Sequence, residues 1–401
     1  MMGANVEIHR RVINITIPML RYCAVWPCSA STSAVIKIIN GLYIIFNFVL
    51  LILYLISLAF DLYYNSTDMN VYGNDGCYVL GTVMIMFKGY KFRMMYEKLS
   101  TLIDDVYGPI DTLIRTSDRG MVATIKHSIF FEFIHFSAFL TGCLSLSFTI
   151  IVLTPREKGE LPIRGVYPFN STVTPYNEMA LFYQSYCVIY CLLIIVALDI
   201  MIIAFIRWVT VQMKALTANY KNCNSETAKR ATLISAAETL KMINGFQSWK
   251  ITDDDLEIRT FLSFDKSEAE DSDDGFVWRF KTCVKHHQRL LKLMLNLNAT
   301  LSPFILVQFG ISTLIICVSG FQWISADAIT HSQWMSGWED EFNKKTNYNI
   351  SNLLTIPMNQ SIRRLEIKAF GMFSLSMPTF LSVVKSSYSV LVLMTTATEE
   401  E

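Results

Sequence analysis

Glu132 and His135, three residues apart, together with Asp199 and Lys385, are ionisable side chains set within otherwise apolar segments. A charged group in a bilayer is costly and normally meets a partner, a cavity or the interface. Glu132 and Asp199 fall near one end of their segments, where an interfacial position is cheap, so structural pairing is expected of them before a gating role. Lys385 would oppose cations if it faced a pore, and is expected to meet a carboxylate or a carbonyl. Cys187 and Cys191 share one helix face, yet two thiols alone make a poor metal site and read as small packed residues. The nine cysteines contain no Cys-x-x-Cys pair, which argues against a disulfide framework. Neither Gly-x-Ser-x-Gly nor a phosphate-cradling glycine loop occurs, and no His, Cys and carboxylate set has metal-ligand spacing. An enzyme, a resident metal and a cofactor are therefore not expected.

These residues are carried by long apolar stretches. The 401 residues are 52% hydrophobic and only 17% charged, too apolar for an average soluble chain. Residues 35–60, 128–153, 181–205, 301–320 and 369–394 are each near the ~20 residues that a spanning helix needs. Residues 77–87 span only if 71–78 extend them and Lys88 and Lys91 snorkel. The fold class is all-α, a polytopic membrane helical bundle. One broken-helix candidate, at Pro378, is too little for the paired halves of a transporter. Formal net charge is zero and no basic run interleaves with aromatics, so nucleic acid is not an expected partner.

Charge places the ends. Residues 61–76 hold three aspartates and no Lys or Arg, whereas 88–126 carry Lys88, Lys91, Arg93, Lys98, Arg115, Arg119 and Lys126. Positive charge is retained in the cytosol, so the amino terminus reads as cytosolic, with no removable signal peptide. The sequons Asn65-Ser66-Thr67 and Asn170-Ser171-Thr172 then both face outside and are candidate glycosylation sites.

On that topology, aromatic and small polar residues gather in the outer halves of the second to fourth spans: Tyr72 and Tyr78; Gly142, Ser145, Phe148 and Thr149; Tyr183, Tyr186 and Tyr190. An apolar pocket with a few hydroxyls suits a small volatile molecule, although Tyr also collects at membrane interfaces without any ligand.

Residues 209–292 form the longest soluble stretch. Helices are expected over 228–242 and 276–295, the second presenting Val284, Leu290, Leu291, Met294 and Leu297 on one face. Residues 253–255 and 263–275 are acidic and serine-bearing and read as solvated and disordered, with Ser267 and Ser272 as candidate phosphorylation sites.

The last apolar stretch resembles the seventh helix of insect odorant receptors in Phe380, Ser382, Val383, Val384, Lys385, Ser387, Tyr388 and Ser389, and residues 276–320 resemble the same family in the Lys-His-His-Gln at 285–288 and the Ser-Pro-Phe-x-Leu-Val-Gln-Phe at 302–309. The related gustatory receptors usually end on a Gln-Phe pair after a tyrosine, and residues 388–394 contain no glutamine, so the odorant branch is favoured. G-protein-coupled receptor motifs fail: Asp118-Arg119-Gly120 precedes a span instead of ending one, and Pro378 follows a methionine.

The resemblance implies an odorant-specific subunit of a ligand-gated cation channel, multi-pass in the plasma membrane of olfactory neuron dendrites. It implies assembly with a co-receptor as a hetero-tetramer, and insertion helices that supply subunit contacts. It also implies a last helix, 369–394, whose Val390, Leu391, Leu393 and Met394 lie at or near the pore constriction. The family has seven spans and only six are found here. The sixth is absent, leaving a non-functional isoform as an alternative, or one weak segment fails to span.

Overall fold

The computed structural model describes residues 8–27, 33–64, 69–153, 159–224, 226, 228–334, 368–369 and 373–374. Its helices are α1 (Arg11–Tyr22), α2 (Ala34–Tyr64), α3 (Met69–Met94), α4 (Tyr96–Leu113), α5 (Arg119–Phe148), α6 (Tyr176–Lys221), α7 (Ala236–Gly245), α8 (Lys266–Glu270) and α9 (Phe276–Trp334). The chain divides into two compact units, residues 1–58 with 82–308 and residues 59–81 with 309–401. The helical class is as expected. Among the described residues the only strands are Lys368–Ala369 and Phe373–Ser374, paired antiparallel. Residues 369, 373 and 374, where the last expected helix was to begin, are extended in this pairing. The rest of that stretch, with Pro378, Lys385, Val390, Leu391, Leu393 and Met394, lies outside the described residues.

Three described helices are long and apolar enough to cross a membrane: α2, α5 with the π-helical turn Thr149–Leu153 that continues it, and α6. Along α2, Val35, Ile38, Leu42, Ile45, Val49, Leu53, Ile56 and Phe60 are all exposed. A bare apolar stripe at helical spacing fits hydrocarbon and not water. α6 is the opposite case. Over half of its apolar window is buried, against about a tenth for α5, and it packs against α1, α4 and α5. Leu198, Met201, Phe205 and Trp208 on α6 are fully buried, so this helix is the spine of the first unit.

Lys88 is a correction. Expected to snorkel, it is instead 1% exposed on α3 and pairs its Nζ with Asp199 Oδ1 of α6 at 2.8 Å, while donating to Gln308 Oε1 of α9 at 2.6 Å. A lone ammonium or carboxylate at such a place would cost several kcal/mol, and pairing removes most of that. Asp199 therefore has the structural partner its type required.

Asp118 begins α5 as its N-cap, accepting from Met121 N at 2.8 Å through Oδ1. Its other oxygen accepts from Arg259 N, Thr260 N and Thr260 Oγ1 at 3.1, 3.0 and 2.7 Å. One carboxylate thus fixes both a helix start and the chain 140 residues later. The close approach explains Gly120: a Cβ there would stand 1.9 Å from the Glu257 carbonyl oxygen.

The insertion departs from expectation in three places. The helix expected from residue 228 begins only at Ala236, because Ser235 and Glu238 form a reciprocal capping box. Upstream, 228–234 run extended, with Ala231 N donating to Phe261 O at 2.8 Å and Phe261 N to Lys229 O at 2.9 Å. Residues 263–275, expected to be disordered, form an ordered strap that carries α8. The third departure is α9, where the helices expected at 276–295 and 301–320 are one continuous helix of 59 residues that runs on to Trp334.

Lys88→Met is expected to lower stability by about 3–5 kcal/mol, because Asp199 is left buried and unpaired. Lys88→Met with Asp199→Leu should recover a large part of the loss, as read by thermal unfolding in detergent. Asp118→Ala should cost about 2–4 kcal/mol and Asp118→Asn less, since the amide keeps one acceptor oxygen. Equal losses for the two Asp118 variants would refute the shared-cap role.

Candidate functional site

Two regions of the first unit bring chemistry-bearing side chains together. The first lies toward the N-terminal end of α6, where three tyrosines follow one another at roughly helical spacing. Tyr183 Oη donates to Leu50 O of α2 at 2.7 Å, Tyr186 Oη donates to Asn47 Oδ1 of α2, and Tyr190 Oη donates to Cys23 O at 2.6 Å. Tyr186 and Tyr190 stack, with ring centroids 5.8 Å apart. The connection between α5 and α6 folds back onto them. Gln184, 1% exposed, donates to Ile163 O at 2.6 Å and to Tyr167 Oη at 2.8 Å, and Val166 N donates to Ser57 O. Tyr167 stacks on Phe169 and meets Tyr183 edge-on, while Tyr183 meets Tyr54 in the same way. The result is a belt of aromatic rings under a loop held by one buried glutamine.

The remaining expected ligand residues are placed differently. Gly142, Ser145, Phe148 and Thr149 are exposed on α5 and its terminal turn, Phe148 by 55%. Thr149 Oγ1 donates to its own helix at Ser145 O. Tyr78 is half-buried in the second unit, and the side chain of Tyr72 lies outside the described residues. The described structure therefore groups Tyr183, Tyr186 and Tyr190 and leaves the α5 set apart. Asn170 is exposed on the connection, its Oδ1 accepting from Thr172 N at 3.1 Å and Thr172 Oγ1 at 2.7 Å. Asn65 lies outside the described residues.

The second region is the other end of α6 and the insertion. Glu132 is buried and accepts from Trp208 Nε1 at 3.2 Å, with Tyr107 Oη at 3.5 Å. Asp111 of α4 receives Arg10 through both oxygens and meets His9 Nε2 at 2.7 Å. Burial opposes ionisation of Asp111, but His9 and Arg10 outweigh it and hold the carboxyl below its ordinary value. His135 faces Arg207, Nδ1 to Nη2, at 3.2 Å. Farther along α6, Gln212 Nε2 donates to Val106 O and its oxygen accepts from Arg289 of α9. Asn219 exchanges two 2.7 Å bonds with the Leu262 backbone.

The strap is held by charge. Arg279, fully buried, pairs through two nitrogens with Asp274 and donates to Asn222 O and Ala228 O. Both oxygens of Glu268 lie within 2.8 Å of His286 Nε2, and Lys285 Nζ is 3.0 Å from Oε1. Burial alone would raise the Glu268 carboxyl, but the His286 bond and the Lys285 charge bring it down to about 2. Asp265, Glu268 and His286 converge closely enough to suggest a metal site. Lys285 and His286 already satisfy the Glu268 carboxylate, so the cluster reads as an ion-pair network. Composition missed it because one buried histidine, 18 residues beyond Glu268, changes what the acidic run can do. All seven described cysteines are free thiols.

The sequence profile of the 7tm odorant receptor family matches residues 68–335. The solved structure of the insect olfactory receptor OR5 from Machilis hrabei is similar with a TM-score of 0.56 at 12% identity, covering 96% of this chain and 97% of that one, a likeness of fold alone. A second structure of that receptor, in complex with eugenol, is similar at 11% identity with a TM-score of 0.48, over 98% of this chain and all of the other. No curated protein matches the sequence. With its profile match spanning well over half of its length, the chain belongs to the 7tm odorant receptor family.

Proposed function

We propose that this receptor binds a small volatile molecule at the tyrosine belt of α6 and, with a co-receptor in a hetero-tetramer, gates a non-selective cation channel in the plasma membrane. Family membership is the observation that carries this reading. The belt supports it: an apolar, aromatic-lined region with a few hydroxyls offers area and one or two hydrogen bonds to an odorant. Tyr183 is the strongest ligand candidate, because its ring lies between Tyr54 and Tyr167 at the edge of the loop. Tyr190 is the weakest, its hydroxyl being committed to Cys23 in a buried position.

Subunit contact through the insertion is supported by α9. Phe280, Val284, Leu291, Met294 and Leu295 are exposed there, beside a groove of about 320 Å³ lined chiefly by Met213, Leu216, Tyr220, Leu290, Leu291 and Met294. Apolar area of this kind outside a spanning segment fits another protein surface. Gating then requires only that the odorant bind the open state more tightly than the closed one. Catalysis is no part of this reading. The pore residues Val390, Leu391, Leu393 and Met394 are proposed from the family resemblance, as an aliphatic ring that closes by excluding water.

Co-expression with the insect co-receptor should give inward current under a broad volatile panel. Silence with normal surface delivery would refute channel function and favour the isoform lacking a span. Tyr183→Ala should raise the half-maximal odorant concentration about tenfold, equivalent to ~1.4 kcal/mol. Tyr190→Phe should cost about 1 kcal/mol in thermal stability without moving that concentration. Asn170→Gln should remove one endoglycosidase-sensitive mobility shift, and an unchanged shift would place the α5–α6 connection on the cytosolic side.

A further inference from the structure

Ser267 opens the run Ser267-Glu268-Ala269-Glu270-Asp271, with acids at the first, third and fourth following positions. The structure holds this run against α9 and leaves the serine exposed, its hydroxyl making none of the described hydrogen bonds. Beside it is a groove of about 330 Å³ whose other wall is Trp278, Lys281, Thr282 and Lys285. Lys281 and Lys285 are one helical turn apart and share a face. Lys281 has no ion pair among the described residues, and Lys285 is 66% exposed. The two acids in the groove are already engaged: Glu268 is held by His286 and Lys285, and Asp271 Oδ2 accepts from Trp278 Nε1 at 3.0 Å.

We propose that Ser267 is a phosphorylation site for an acid-directed protein kinase, and that the phosphate is received by Lys281 and Lys285 of α9. This rests on the reading of residues 209–292 as cytosolic, where ATP is available. The Ser267 oxygen bonds to the γ-phosphorus of ATP and the bond from that phosphorus to the β,γ-bridging oxygen breaks. ADP leaves, and the hydroxyl proton passes to the kinase's catalytic carboxylate. The product carries about −1.5 to −2 charge and three acceptor oxygens, opposite one uncommitted ammonium and one that already reaches across. It draws Lys285 from Glu268, which His286 retains, and adds Lys281, so the strap grips α9 more tightly. Ser272 is exposed too, but it has a glycine at the third following position and lies outside the groove lining.

The test expresses the full chain with an acid-directed kinase in insect cells and, in parallel, incubates the detergent-solubilised full chain with that kinase and ATP. Phosphopeptides covering 263–275 are read by mass spectrometry. Phosphate in both preparations, lost in Ser267→Ala and kept in Ser272→Ala, supports the site. Labelling in detergent but not in cells overturns the proposal through the cytosolic reading. Labelling in neither overturns the site and leaves that reading standing. Amide exchange over 264–274 should slow about tenfold on phosphorylation, and Lys281→Gln should abolish most of that slowing. Unchanged or faster exchange refutes the receiving groove.

Discussion

Asp199 stands within the apolar run of α6, the helix on which the first unit is built, and a carboxylate there needs a cation. Lys88 supplies it from α3, and Gln308 of α9 accepts a second hydrogen bond from the same ammonium. Three helices far apart in sequence are thereby fixed at one depth, by groups whose separation would leave an unpaired charge in a low-dielectric setting. Apolar packing alone leaves helices free to slide or rotate past one another, because one leucine face serves nearly as well as the next. A buried ion pair with a bound amide has one register.

The same principle recurs at the other end of α6. Glu132 with Trp208, Gln212 with Val106 and Arg289, and Asn219 with Leu262 place a polar anchor at successive levels of one helix. Each anchor names its partner by hydrogen-bond geometry, and each stands among fully buried apolar side chains that keep water out. The spine is held by packing and positioned by these contacts.

The strap at 263–275 illustrates how little local composition can decide. Its acids look like a solvated loop until Arg279, Lys285 and His286 are brought against them. Asp274 then closes a bidentate pair with a fully buried guanidinium, and Glu268 becomes a buried anion held ionised well below its ordinary range. Asp118 makes the same point: as a motif residue it had no role, and in the fold it caps α5 and anchors the segment around Thr260.

Much of the architecture was legible in the residues. Long apolar runs showed α2, α5 and α6 as helices long and apolar enough to cross a membrane, since a span must be about twenty apolar residues whatever its neighbours are. Residues 302–309 and the closing serine-tyrosine cluster pointed to the family, and the type of Asp199 alone required a partner. Tertiary structure decided which partner: Lys88 reads as a snorkelling end residue until α9 and α6 close over it. It likewise decided that Tyr183, Tyr186 and Tyr190 share one belt while Gly142, Ser145, Phe148 and Thr149 face away, because spacing along a helix tells which residues share a face but not what that face meets. The start of α7 was misplaced at 228, although Ser235-x-x-Glu238 carries the capping-box signal that sets it. The order of the strap was not legible, because the charges that hold it come from a helix whose approach only the folded chain provides.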